Sequence, residues 1–176
     1  TLVVGLIGAL SQRDMRRVLS FNLVGHIGFT TVGLALWTPA ALGASILYIL
    51  HHMLVITTLF LLAGVFLRQR RTSDLMALGG LYRTHPQVAL LAMVPIFSLA
   101  GVPPFSGFIA KLGIVTGAFQ GPHYWVGAVA LVVGLLTLLS MGRVWDEAFW
   151  KPSPTASAAG APSPVMLAPI GALVCL

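Results

Sequence analysis

Charge is what this sequence has least of. Only 8% of its 176 residues are Asp, Glu, Lys or Arg, against about 25% in a soluble domain. With 57% hydrophobic residues and a mean hydropathy of +0.95, a soluble globular domain is excluded and a polytopic membrane protein indicated. The acids are four, Asp14, Asp74, Asp146 and Glu147, and all stand outside the long apolar runs. No carboxylate is therefore available within the membrane as a metal ligand. The one cysteine, Cys175, excludes an internal disulfide and says nothing about redox compartment. A Gly-rich phosphate loop, a nucleophile elbow and a cysteine pair are also missing, so no metal and no cofactor is expected. Residues 1–10 lack a basic start and a cleavage pattern, so they are not a signal peptide. The chain opens at Thr1 inside one apolar stretch and stops in another, "PVMLAPIGALVCL". We expect an internal piece of a longer polypeptide.

The net charge of +6 raises nucleic acid as a partner, and the placement of the charges rejects it. Arg13, Arg16, Arg17, Arg68, Arg70, Arg71, Arg83, Arg143 and Lys151 sit in short breaks between apolar runs. About 20 residues cross the hydrocarbon as a helix. That length parses the chain into a partial span at 1–10, spans at 18–37 and 40–67, an interrupted span at 87–118, a span at 123–142 and a partial one at 164–176. The stretch 151–163, "KPSPTASAAGAPS", reads as a flexible loop. Basic breaks at 11–17, 68–86 and 143–163 alternate with uncharged turns at 38–39 and 119–122. The positive-inside rule puts the three basic loops in the cytoplasm. A β-barrel would alternate in polarity along each strand, and "VGAVALVVGLLTLL" does not. The fold class expected is all-α, a polytopic transmembrane bundle with one broken helix.

The break is legible in "SLAGVPPFSGFIAKLG" (98–113). Pro103 and Pro104 remove two backbone donors, and Gly101 and Gly107 loosen the chain around them. We read half-helices at about 88–101 and 105–118 with Ser106 in the unwound piece. Irregular backbone at membrane depth is tolerated only where protein buries it or a wet cavity adjoins it. Lys111 follows the break and is the one charged residue inside a span. An intramembrane lysine is a functional candidate by default, and an amine that can lose its proton suits proton carriage. The structural reading of Lys111 is a cap on carbonyls released by the prolines, or a reach to lipid headgroups.

His51 and His52 lie near the middle of the third span, and His26 is mid-span in "NLVGHIGFTT". Tyr48 is three residues from His51 and four from His52, so the three share a helical face. Thr57 and Thr58 are expected to extend that polar stripe. Imidazole titrates near neutrality and can hand a proton between its nitrogens. Three mid-membrane histidines with one lysine therefore read as a proton line. The alternative for each histidine is a packing hydrogen bond to a neighbouring helix. Adjacent histidines point about 100° apart, which disfavours a shared metal. His85 and His123 lie at loop edges and receive no role. Trp37, Trp125, Trp145 and Trp150 fall near the expected interfaces, as an aromatic belt would.

The segments "RRVLSFNLVGHIGF", "LYILHHMLVITTLFLLAGV", "LGGLYRTHP", "SLAGVPPFSGFIAKLGIV" and "LLTLLSMGRVWDEAFWK" resemble the antiporter-like subunits shared by Mrp cation/proton antiporters and respiratory complex I. The "PPFSGFIAK" element and the "WDEAFWK" end are most similar to the D-type subunits of the Mrp complexes. The resemblance implies a 14-helix subunit made of two inverted five-helix repeats, each with a broken helix. This chain would supply the C-terminal half. Lys111 would end a buried hydrophilic axis near the outer exit, and His52 would lie on that axis. The glutamate and lysine of the first repeat would lie upstream. One position departs from the pattern: where the family usually has a lysine four residues after the histidine matching His52, this chain has Ile56. Either the relay runs through His51, His52 and water, or transport is altered.

The resemblance implies a multi-pass subunit in the plasma membrane of a prokaryote. Its partners would be other membrane subunits, the lipid bilayer, and Na⁺ and H⁺ as transported ions. It would be a secondary transporter rather than an enzyme, or a translocase subunit if it belongs to an NADH-quinone oxidoreductase. A proton-pumping subunit of a redox complex and a non-conducting structural scaffold are the competing expectations.

Overall fold

A computed structural model describes residues 1–122, 124–152 and 164–175. His123 and most of the expected 151–163 loop lie outside the described residues. Among those described, all regular elements are helical: α1 Leu2–Ser11, α2 Met15–Ala35, α3 Pro39–Arg70, α4 Leu75–Leu78, α5 Leu81–Thr84, α6 Pro86–Ala100, α7 Ser106–Gln120, α8 Tyr124–Trp145 continued by a π-helical turn Asp146–Trp150, and α9 Pro164–Cys175. By length and composition α2, α3 and α8 with its π turn can each cross a membrane.

Local chemistry sets the boundaries. Asp14 caps α2, its carboxylate accepting from the Arg17 N–H at 3.1 Å. Thr38 caps α3 by accepting from the Ala41 N–H at 3.2 Å, and Pro39 takes the first turn, where its missing donor costs nothing. The 32 residues of α3 amount to roughly 48 Å at 1.5 Å per residue, longer than the 40–67 reading and longer than the hydrocarbon is thick. Its last turn, "RQRR", carries the excess length out at a basic end. The 68–86 loop is not irregular throughout: α4 and α5 tuck Leu75, Leu78 and Leu81 against the ends of the bundle.

Two apolar clusters make the core. One gathers Met15, Leu62, Phe66, Leu78, Val88 and Phe149 at the basic end. The other holds Leu2, Phe29, Tyr48, Ile114 and Val133. Small residues bring helices to backbone contact, as membrane helices require when no water drives them together. A Cβ on Gly5 of α1 would strike the Gly25 backbone of α2, and one on Gly113 of α7 would come within 2.7 Å of the Ala44 Cβ on α3.

The three basic loops converge. Met15 N–H donates to Ser73 O at 2.9 Å, and Leu75 N–H to Arg13 O at 3.0 Å. The Ser73 hydroxyl donates to the Asp14 carboxylate. Arg143 Nη1 donates to Leu10 O at 2.5 Å. Asp14 thus serves two elements at once. Partial burial opposes its ionisation, but the Ser73 hydroxyl and the backbone N–H groups of Arg17 and Arg16 outweigh that and hold its carboxyl below 3.8. A carboxyl depressed in the folded state stabilises it above the ordinary value and loses that effect as pH falls through the folded one. Asp14→Ala should destabilise the subunit at neutral pH by about 1 kcal/mol, the usual worth of an N-cap. The difference from wild type in thermal melts should shrink as the pH falls below 3.8.

Candidate functional site

The site is built around the end of α6. Gly101 adopts φ +82 and closes the helix in a Schellman pattern: Gly101 N–H donates to Ser98 O at 3.2 Å and Val102 N–H to Phe97 O at 3.1 Å. These two bonds leave the carbonyls of Leu99 and Ala100 without backbone donors. The next residues cannot help, because Pro103 and Pro104 have no N–H; the bond between them is cis. Lys111, on α7, folds back and donates Nζ to Leu99 O at 2.9 Å and Ala100 O at 3.2 Å. The ammonium therefore sits at the negative end of a half-helix, 5.5 Å above the Phe29 ring centroid and 8% exposed. The φ of +82 is what favours glycine at 101, and a Cβ there would also crowd Lys111 Cδ at 3.1 Å. Cap and candidate carrier are one residue: the carbonyls of the break stabilise a charge that the apolar surroundings would otherwise expel.

The three histidines converge on Tyr48. His26 Nδ1 shares a hydrogen bond with the Tyr48 hydroxyl. The His26 and His52 rings stack across α2 and α3 with centroids 4.9 Å apart, and Tyr48 lies 6.2 Å from His52 and 6.0 Å from His51. His51 Nδ1 then reaches Ser106 Oγ at 2.9 Å, joining the line to the break. Phe29 touches both ends, 6.2 Å from the His26 ring and beneath Lys111. Nε2 of His26, Nε2 of His51 and both ring nitrogens of His52 are buried without a protein partner. Buried polar groups are normally bonded to protein or ordered water, so this row of orphans fits a hydrated or proton-passing line. Beside His51 is a cavity of about 200 Å³ that Thr58, Ser98 and Ser106 share with apolar side chains of α6 and α9.

The expected polar stripe is corrected at one position. Thr57 is exposed on the far side of α3, and its hydroxyl is spent on Met53 O at 2.7 Å. The reason is the helical period, since nine residues from Tyr48 is half a turn off its face. Thr58 does face inward, toward the cavity, though its hydroxyl bonds Leu54 O at 2.7 Å. Ile56 is packed in the apolar cluster of the basic end. Gly107 permits the α6–α7 approach: a Cβ there would collide with Ser98 O and lie 2.8 Å from His51 Nε2. Among the described residues no three His, Cys, Asp or Glu side chains converge as a metal would need.

Three residues of the site escaped sequence reasoning. Phe29 reads as ordinary core. Asn22 is fully buried one turn before His26 and donates Nδ2 to Ser140 Oγ of α8 at 3.1 Å. The i, i+4 spacing of Asn22 and His26 in "NLVGH" was a usable signal; the partner on α8 had none, because Ser140 lies far off in sequence.

Comparison with known proteins bears on this arrangement. The profile of the NADH:quinone oxidoreductase/Mrp antiporter transmembrane family matches residues 1–137. The D-type Na(+)/H(+) antiporter subunit of Alkalihalophilus pseudofirmus is 43% identical over 150 residues, which are 85% of this chain and 30% of the relative. Its Bacillus subtilis counterpart is 33% identical over the same shares. The Mrp complex from Dietzia sp. contains a chain that superposes with a TM-score of 0.83 at 41% identity, covering 89% of this chain and 30% of its own. Respiratory complex I from Thermus thermophilus superposes at 0.90 with 21% identity over 99% of this chain and 36% of its own, a likeness of fold. This chain thus spans about a third of the length of the relatives it matches. With a family profile over most of its length and a broken helix and buried lysine in place, the chain belongs to the NADH:quinone oxidoreductase/Mrp antiporter transmembrane family.

Proposed function

We propose that the chain is the proton-conducting part of a D-type subunit in a multisubunit Na⁺/H⁺ antiporter of a prokaryotic plasma membrane, working with other membrane subunits. The observation that carries this is the buried row His26, Tyr48, His52, His51 and Ser106, which leads to the broken helix that holds Lys111. Four of its ring nitrogens, His26 Nε2, His51 Nε2 and both of His52, lack protein partners, and an imidazole can accept or release a proton. Lys111 would alternate between the charged form on the Leu99 and Ala100 carbonyls and a neutral form once a second positive charge approaches. The basic loops 11–17, 68–86 and 143–163 would face the cytoplasm. The proposed spans are those expected from the sequence, with α6 and α7 as two halves of one crossing. The competing reading, a proton-pumping subunit of a redox complex, has the fold likeness to complex I in its favour; the 43% and 41% identities lie with antiporter proteins.

The two separate in inside-out vesicles that carry the full-length protein with its partner subunits. A Na⁺ pulse with no NADH should move protons, read with a fluorescent pH probe. Proton movement that needs NADH and ignores Na⁺ would assign the chain to the redox class.

A further inference from the structure

His26, on α2, belongs to the histidine line, and the distance from that line to the basic loops must still be crossed. Along α3 that route is apolar: below His52 stand Ile56, Leu59, Leu62, Ala63 and Phe66 in the core, and the Thr58 hydroxyl is already spent on Leu54 O. Between α2 and α8 it is polar. Asn22 is 0% exposed, its Nδ2 donates to Val18 O at 2.9 Å and to Ser140 Oγ at 3.1 Å, and its Oδ1 has no protein partner. His26 Nε2, one turn along α2, is buried without one as well. On α8, Ser140 is followed one turn later by Arg143, whose guanidinium binds Leu10 O at the end of α1, while the Thr137 hydroxyl one turn before it is spent on Val133 O at 2.9 Å. Arg143, Ser140 and Asn22 thus stand in turn on the seam that leads toward His26.

We propose that Asn22 and Ser140 hold water between α2 and α8, and that this water is the cytoplasmic inlet to the histidine line. An amide oxygen aimed into a dry interior is among the costlier things a fold can keep, and a water that also meets His26 Nε2 satisfies both groups. Arg143 at the mouth keeps the seam wet at its outer end. Its use by protons rests on the proposed antiport function, whereas the water itself does not.

The test reads hydration without reading transport. In the full-length subunit within its complex, with Cys175 replaced by alanine, Ser140→Cys is compared with Met141→Cys, its neighbour at the same depth in the apolar core. A small hydrophilic methanethiosulfonate is applied from the basic-loop side of inside-out vesicles. A thiol reacts as its thiolate, which forms in a wet site and not in a dry one, so Ser140→Cys should label at least about tenfold faster than Met141→Cys. Adding Asn22→Leu should bring its rate down to that of Met141→Cys. Equal rates for the two cysteines would overturn the proposal, as would labelling at Thr58→Cys in place of Ser140→Cys, which would put the water in the cavity beside His51. If Ser140→Cys labels but Asn22→Leu leaves Na⁺-driven proton movement at the wild-type rate, the water stands and its role as inlet falls. A wild-type complex that moves no protons on a Na⁺ pulse would sink the antiport function alone.

Discussion

On the proposed antiport function, Lys111→Met should abolish Na⁺/H⁺ exchange in the assembled complex. Methionine keeps the length of the side chain and its contact with Phe29 but carries no proton. We expect the initial rate of Na⁺-driven proton movement to fall by at least about a hundredfold, equivalent to roughly 3 kcal/mol of barrier. The same substitution strips the donor from Leu99 O and Ala100 O. Each buried carbonyl left bare costs about 1–3 kcal/mol, so the variant should also melt earlier. Lys111→Arg separates the two effects. It keeps the cap and restores the melting temperature, yet a guanidinium does not give up its proton in a protein, so exchange stays lost. A Lys111→Arg complex that exchanges at the wild-type rate would make the residue a cap and nothing more. The assay is the pH-probe measurement, with assembly checked on a native gel.

On the proposed assembly, Gly107→Ala should remove the subunit from the complex. The added Cβ would collide with the carbonyl oxygen of Ser98, a backbone atom of α6, and would press on His51 Nε2 at 2.8 Å. A flexible side chain could swing aside; a helix carbonyl beside a proline-broken turn cannot. Overpacking a core typically costs about 1–3 kcal/mol and more where backbone must move. We expect at least about 3 kcal/mol here, read as loss of the assembled band and a melting temperature well below wild type. Normal assembly would mean that α6 and α7 part easily, and that the tight half-helix contact is not what holds the break together.

Both sites were largely legible before the fold was known, for a physical reason. Pro103, Pro104 and Lys111 are each expensive in a membrane helix, so their coincidence marks a place where other groups compensate. The pairing of Tyr48 with His51 and His52 follows from one helical period and needs no tertiary knowledge. What could not be read is what depends on a second element. The carbonyls that hold Lys111 are named only by the Schellman turn at Gly101. Phe29 looks like any core aromatic until the lysine is placed over it. Asn22 needed Ser140 from the far end of the chain. Thr57 shows the opposite error: adjacency to Thr58 suggested a stripe that helix rotation forbids. The short α4 and α5 hid in a basic loop because three leucines spaced across it are too few to show a period.

The polar line also has a composition with consequences: among the described residues it includes imidazoles, hydroxyls, an amide and one ammonium, and no carboxylate. Among the described residues the Lys111 charge is offset by the Leu99 and Ala100 carbonyls and the face of the Phe29 ring, with no counter-ion. Two cations roughly 6 Å apart at an effective dielectric of 20 repel by about 3 kcal/mol, so a second positive charge on the line displaces the first instead of resting beside it. On the proposed function the interior would behave as a single-occupancy queue, in which arrival at one end is felt as departure at the other, with the balancing charge supplied from outside these helices.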